Sequence, residues 1–235
     1  MVTLIKPLPY PSYTQDYPRV SEIIKATQSA TKTQALQWWA AGLGKEEAER
    51  QSLLARENGN QFHQQGEDFA RGLTDGVSES FNSLFIELGI EPVGVELPVW
   101  HPDLKYKGRL DLLFKKDGKY YVLDYKTSKK KREKSYYADA RVQLGGYALA
   151  CEVTYGVEIE GAFVVVAVQD PSQNTPFEIK NLWDFQVFEV TPSQLRSQKK
   201  RFAKKVEEFY NPPPKKLKKD KVKEKVLIAP SNPFL

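Results

Sequence analysis

The sequence predicts an α/β domain, a mixed central sheet flanked by helices on both sides. Three observations carry that expectation. Helix-period patterns run up to Leu88. Three alternating segments then follow in succession between Val93 and Ser128. The later run Ala162 to Val168 is apolar at every position, as a strand buried on both faces is.

Taken in order, residues 1–20 are rich in Pro and Tyr and read as irregular. Val20 to Ala26 and Lys32 to Ala41 read as short helices, the second ending before Gly42. Lys45 to Leu54 and Gln61 to Leu73 read as helical, with Phe62, Gly66, Phe69 and Leu73 on one face, and another helix runs from about Val77 to Leu88. The strand segments are VGVELPVW, YKGRLDLLFKK and KYYVLDYKTS. Tyr136 to Val153 then reads as a helix, GAFVVVAV as a central strand and FQVFEV as another strand. Thr191-Pro192 supplies an N-cap and a first-turn proline for a last helix to about Tyr210. The tryptophans Trp38 and Trp39 are expected in the core, where large aromatics bury most surface. An exposed one would offer a stacking platform for single-stranded bases.

The chain has 235 residues, 28% charged and 40% hydrophobic, which suits one domain, expected over residues 1–211, with a tail over 212–235. No apolar run approaches the roughly 18 residues of a membrane span. The N-terminus lacks the layout of a secretory signal or transit peptide, so a cytoplasmic protein is expected. Cys151 is the only cysteine, which excludes an internal disulfide and a four-cysteine iron–sulfur cluster. The net charge of +5 is concentrated: seven Lys after Asn211, against Asp220 and Glu224, account for the whole excess. That Lys-rich tail is expected to be disordered, adding nonspecific nucleic-acid affinity, binding a partner, or serving only solubility. A second cluster, Lys126, Lys129, Lys130, Lys131, Arg132 and Lys134 against Glu133, forms an anion-attracting patch or a solvated loop.

The chemistry-bearing segment is residues 107–127, KGRLDLLFKKDGKYYVLDYKT. Asp117-Gly118 between alternating segments signals a two-residue hairpin turn. With Lys116 facing Lys119, the register sets Asp111 opposite Asp124, Arg109 opposite Lys126 and Leu113 opposite Val122. One face then holds Arg109, Asp111, Leu113, Val122, Asp124 and Lys126. The other, with Leu110, Leu112, Phe114, Tyr121, Leu123 and Tyr125, is core. Two carboxylates about 5 Å apart repel unless a cation lies between them. Hard Mg²⁺ or Mn²⁺, which take oxygen ligands and retain water, suit such a pair. Lys126 on the same face would orient an attacking water and stabilise charge on a phosphorane, the chemistry of phosphodiester hydrolysis. The residues alone leave a second reading equally open, an ordinary ion-pair network on a solvent-facing hairpin.

These motifs resemble those of the PD-(D/E)XK nuclease superfamily, in its RecB-like branch, and most closely the group of the mitochondrial genome maintenance exonuclease and related phage proteins. Gly108 to Asp111 is similar to the family's G-x-x-D, Asp124 to Thr127 to its (D/E)-x-K-T, and Gln143 to Tyr147 to its Q-x-x-x-Y. Gly59 to His63 matches an upstream G-x-x-x-H, Val95-Glu96 a V-E strand, and RVSEII around Ser21, more faintly, an N-terminal motif. Leu110 stands where the superfamily name has proline. The missing cysteines favour the cluster-free exonuclease group, and the absence of a transit peptide favours a bacterial or phage relative.

The resemblance implies a restriction-endonuclease-like core and a Mg²⁺- or Mn²⁺-dependent DNase, an exonuclease on single-stranded ends. It implies Asp111, Asp124 and the carbonyl of Tyr125 as metal ligands, Lys126 as the catalytic lysine and His63 close to metal or scissile phosphate. Glu67, one turn after His63, orients it, helps hold metal, or is an exposed helix carboxylate. Gln143 and Tyr147, with Arg109, Lys129, Lys130, Lys131 and Arg132, are expected at the DNA, with helix packing the competing role for Tyr147. No helicase phosphate loop is present, so unwinding or recombination partners would come from elsewhere, for example through the tail. The alternatives are an endonuclease and a noncatalytic nucleic-acid-binding module on the same fold.

Overall fold

The structure is a computed structural model and describes residues 4–73, 79–168 and 184–213. Most of the Lys-rich tail lies outside the described residues, so nothing here bears on its expected disorder.

Five strands form one mixed sheet in the order β1 (Glu91–His101), β2 (Tyr106–Lys116), β3 (Lys119–Ser128), β4 (Ile159–Val168) and β5 (Asp184–Val190). All neighbours are antiparallel except β3 and β4. That parallel pair needs a crossover, and α5 (Ala138–Tyr155) provides it. The other helices are α1 (Val20–Ala26), α2 (Ala30–Leu43), α3 (Lys45–Arg71), α4 (Glu79–Leu88) and α6 (Pro192–Tyr210). Thr191 caps α6 with Gln194 answering at its third position, and Pro192 fits the first turn because that N–H has no partner in any helix.

Each face of the sheet packs against helices. Leu113, Val122, Val164 and Val166 face Ile23 of α1, Val142 and Leu144 of α5 and Phe202 of α6. Leu112, Phe114, Leu123, Phe163 and Val165 face Phe62 of α3 and Phe81 and Leu84 of α4. The expectation that only one face of the hairpin is core is therefore corrected: the Leu113/Val122 face is buried as well, because α5 and α6 cover it.

Three helix boundaries differ from expectation. The two segments on either side of Gly59 join in the single helix α3, since Asn58-Gly59-Asn60 weakens a helix by only about 1 kcal/mol per glycine and packing against β3 offsets it. Helix α2 runs past Gly42 to Leu43 and stops at Gly44, whose φ of 83° an L side chain rarely adopts. The segment from Lys134 to Tyr137 is a 3-10 turn, and α5 starts at Ala138.

The core placement of the tryptophans is also corrected. Trp38 is 69% and Trp39 43% exposed, and α2 buries none of its residues. Helix α2 packs on α3 and not on the sheet.

Candidate active site

The hairpin turn at Asp117-Gly118 sets the expected register, with Leu112 paired to Leu123 and Lys116 to Lys119. The ladder then stops. Beyond Leu112 and Leu123, β2 stays with β1 as far as the Tyr106–His101 pair, while β3 stays with β4 as far as Ser128–Val168. The two halves of the sheet part, and the acidic residues lie in the fork. Asp111 and Asp124 are therefore not ladder partners. Asp124 is level with Val164 of β4, and Arg109 pairs with Pro98 of β1 in place of Lys126.

The fork coincides with an irregularity in β1. Val95 pairs with Leu112 and Leu97 with Leu110, which brings Glu96 level with Asp111. Glu96 has a φ of 52°, an uncommon conformation for a residue with a Cβ. On either side of this point the packing changes face: Val95 and Leu112 belong to the layer under α3, Leu97 and Leu110 to the layer under α5.

Within the fork, Asp111 Oδ2 accepts the Tyr125 N–H at 2.8 Å and lies 3.3 Å from His63 Nδ1. His63 reaches it because α3 lies tight on β3: a Cβ on Gly66 would stand 2.8 Å from the Tyr125 ring. One ligand atom each from His63, Glu96 and Asp111 fall within 4.8 Å of one another. Opposite ligands on Mg²⁺ are about 4 Å apart, so these three donors suit one small divalent cation. Asp124, 1% exposed, is not part of that convergence; its Oδ2 meets the Lys126 ammonium but forms no hydrogen bond of acceptable geometry. That buried oxygen has the Lys126 ammonium as its counter-charge, which offsets the cost of burying it. Lys126 Nζ lies 3.3 Å from the Tyr125 carbonyl, beside the same fork.

The electrostatics agree with a site built for positive charge. Burial pushes Asp124 up to about 6, with Lys126 pulling down and Asp111 pushing further up. Burial likewise raises Glu96 to about 7, helped by the charges of Asp111 and Glu67. For Asp111 burial is outweighed by His63, Lys126 and the Tyr125 N–H, which hold it below the ordinary carboxylate range. Burial lowers His63, and its hydrogen bond to Asp111 more than restores it.

The other expected site residues are distributed around this fork. Glu67 accepts from Arg71 at 3.0 Å, and its charge is felt by Glu96 at the fork. Arg109 is exposed and pairs with Glu96 at 3.5 Å. Gln143 donates to the Tyr147 hydroxyl at 2.9 Å, and Tyr147 is 6% exposed, packed behind the acidic residues. In the basic loop Lys131 pairs with Asp184, Arg132 lies over the Tyr136 ring and donates its N–H to Gln186, and Lys134 caps the Glu189 carbonyl. Lys129 and Lys130 are exposed, and among the described residues neither has a carboxylate partner.

A sequence model described as the PD-(D/E)XK nuclease superfamily matches residues 19–226. The chain belongs to the PD-(D/E)XK nuclease superfamily. No curated protein matches it. Among solved structures, the crystal structure of SSO0001 aligns over 85% of this chain and 79% of that one, with 13% identity and a TM-score of 0.36. A likeness of that degree bears on neither fold nor function.

Nucleases of the PD-(D/E)XK superfamily use divalent metal ions, and in this PD-(D/E)XK chain the donors that fit one are His63, Glu96 and Asp111, with Asp124 and the Tyr125 carbonyl beside them. Glu96 is the residue that sequence reasoning placed only within a strand motif. Its signal was the acidic position in an otherwise apolar strand, VGVELPVW, and its meaning emerges only when β1–β2 pairing brings it level with Asp111. Among the described residues no helix is long and apolar enough to cross a membrane.

Proposed function

We propose that the chain is a Mg²⁺- or Mn²⁺-dependent deoxyribonuclease of the RecB-like branch, related to the mitochondrial genome maintenance exonuclease group, that removes nucleotides from ends of single-stranded DNA. The observation that carries this reading is the fork itself, where His63 of α3 converges with Glu96 and Asp111 of the sheet and the Asp124–Lys126 pair stands beside them.

When bound, the metal supplies a Lewis acid for the phosphodiester oxygens and lowers the pKa of a bound water. The residues do the rest. His63, Glu96 and Asp111 hold the cation, and Asp124 with the Tyr125 carbonyl completes the oxygen-lined wall. Lys126, whose ammonium meets Asp124 and the Tyr125 carbonyl beside the fork, orients the attacking water and stabilises the extra negative charge on the phosphorus oxygens. Gln143 fixes the Tyr147 hydroxyl and so the wall behind the carboxylates.

The preference for single-stranded ends is supported by α2 and α3. Gly59 of α3 lies over Thr127, next to Lys126, with a Cβ there only 4.0 Å from the Thr127 hydroxyl. The helix then continues toward Lys45, within the field of Lys129, which acts on Glu47. This extension, with α2 against it, presents Trp38, Trp39, Leu53 and Leu54 to solvent beside a cavity of about 950 Å³. Exposed aromatics beside unpaired lysines are a stacking and phosphate surface for unpaired bases.

The test is digestion of end-labelled linear single-stranded DNA beside circular single-stranded DNA, with Mg²⁺ and with EDTA. Metal-dependent loss of the linear form alone is expected. Cutting of the circle makes the protein an endonuclease, and no cutting of either, with DNA binding retained in EDTA, makes it a binding module.

A further inference from the structure

A second concave region adjoins the fork through Arg109 and Tyr147. It is a cavity of about 510 Å³ lined by Tyr10, Arg19, Ser21, Lys107, Arg109 and Tyr147, with Val20 and Gly108 as its floor. Three cations and no carboxylate line it. The strand segment before Asp111 and the chain entering α1 meet here: Lys107 donates its backbone N–H to the Pro18 carbonyl at 3.0 Å, and Arg19 bridges to Lys107. That pairing presents Arg19, Lys107 and Arg109 to one space.

The three cations are not equally committed. Lys107 Nζ donates to the Thr14 and Gln15 carbonyls at 2.8 Å each, which leaves one of its three N–H groups. Arg109 reaches Glu96 at 3.5 Å, a weak contact for a guanidinium with five donors. The Arg19 side chain has no carboxylate partner among the described residues; Glu22, three residues on, accepts the Arg19 backbone N–H instead. Three cations that share one weakly held carboxylate, Glu96 on Arg109, leave an excess of positive charge that attracts an anion.

The cavity is also joined to the fork. Tyr147 is a wall of both, since its buried ring feels the charges of Asp124, Asp111 and Glu96 and its edge touches Gly108. Arg109 spans from the cavity to Glu96, so a cation taken up by Glu96 frees Arg109 toward the cavity.

We propose that this cavity is a phosphate subsite of the substrate strand, in which Arg19, Ser21, Lys107 and Arg109 hold a phosphate beside the one being cleaved. The proposal rests on the nuclease reading for its substrate, and on the cavity alone for its chemistry. The phosphate is either a terminal monoester or an internal diester, because both present the oxygens that this cavity is equipped to bind.

The experiment is fluorescence anisotropy of the full chain with a short single-stranded DNA in EDTA, prepared with a 5′ phosphate, a 3′ phosphate or hydroxyl ends. Arg19→Ala is compared with Arg19→Lys and with Lys119→Ala, which removes a charge at the far end of the β2–β3 hairpin. Arg19→Ala is expected to raise Kd at least about fivefold and to flatten the log Kd against log salt slope by about 0.7, the value for one single-strand phosphate contact. Arg19→Lys is expected to recover part of the loss. A larger loss with one phosphorylated end identifies a terminal phosphate; an equal loss with all three identifies an internal one. An Arg19→Ala effect no greater than that of Lys119→Ala, or no binding by the wild type, overturns the subsite. If the wild type binds but cuts nothing while Arg19→Ala still weakens binding, the nuclease reading fails and the subsite stands.

Discussion

The ring of Tyr147 lies so close to the backbone of Gly108 that a Cβ there would stand 2.7 Å from its Cε1, and 3.1 Å from Val20 Cγ2. Two sequence motifs thus meet in one contact: the glycine that opens G-x-x-D is small because the tyrosine that closes Q-x-x-x-Y occupies its place. Through this contact α5 is docked on β2 next to Asp111, and Gln143 holds the tyrosine hydroxyl.

Gly108→Ala is accordingly expected to destabilise the fold by about 1–3 kcal/mol, the usual range for overpacking a filled core. Thermal unfolding should show Tm lowered by several degrees, with loss of nuclease activity at temperatures where the variant is still folded. An unchanged Tm would mean that Tyr147 moves aside freely.

Asp124→Asn and Lys126→Ala separate chemistry from stability. Both are expected to lower single-turnover cleavage by about 10²–10³-fold, the scale on which removing a group that stabilises transition-state charge acts. Asp124→Asn should leave Tm unchanged or higher, because it removes a carboxylate whose charged form is disfavoured by burial. Cleavage by either variant at the wild-type rate would remove that residue from the catalytic set.

Glu96→Gln tests the ligand that only the fold revealed. It is expected to weaken Mn²⁺ binding, measured by titration calorimetry, by about tenfold or more, while leaving the His63–Asp111 pair in place. Equal affinity in variant and wild type would reduce the cation site to other donors.

The same groups predict a pH dependence of the metal-free protein. Asp124 near 6 and Glu96 near 7 retain protons in the folded state that they release when unfolded, where they titrate near the ordinary carboxylate range. His63, raised in the fold, also holds its proton more tightly when folded. Between pH 5 and 8 the folded state therefore binds more protons than the unfolded, and these groups make stability fall as pH rises. Asp111, lowered, titrates below this window and does not oppose the trend. Thermal melts in EDTA should give Tm decreasing from pH 5 to 8, and saturating Mn²⁺, which binds the deprotonated donors, should reverse the slope. A Tm in EDTA that climbs steadily over this range would contradict the burial of these carboxylates.

Much of the fold was legible because local rules and tertiary demands agreed. The Asp117-Gly118 turn, the alternation on either side of it and the Thr191-Pro192 start of α6 each specify a conformation from a few adjacent residues, and each stands where expected. The failures share a cause of the opposite kind. The helical pattern lapses between Leu54 and Gln61, yet α3 runs through Gly59 because β3 supports the helix. Trp38 and Trp39 read as core, yet α2 packs on α3 and among the described residues nothing buries either ring. Composition carries no information about where a sheet stops.

For the site, the sequence by itself supplied candidates: Asp111, Asp124 and Lys126 from the alternation and turn of one hairpin, and His63 through the resemblance of Gly59 to His63 to a family motif. Only the tertiary structure decided how they are deployed. Period-two alternation and a continuous ladder set the two aspartates opposite each other. The positive φ at Glu96 and the parting of β2 from β3 break that ladder, separate Asp124 from Asp111, and bring His63 and Glu96 to Asp111 from elements distant in the chain. Register is local arithmetic, whereas the point at which a twisted sheet divides depends on what packs against each half, and that is settled only when α3 and α5 are both in place.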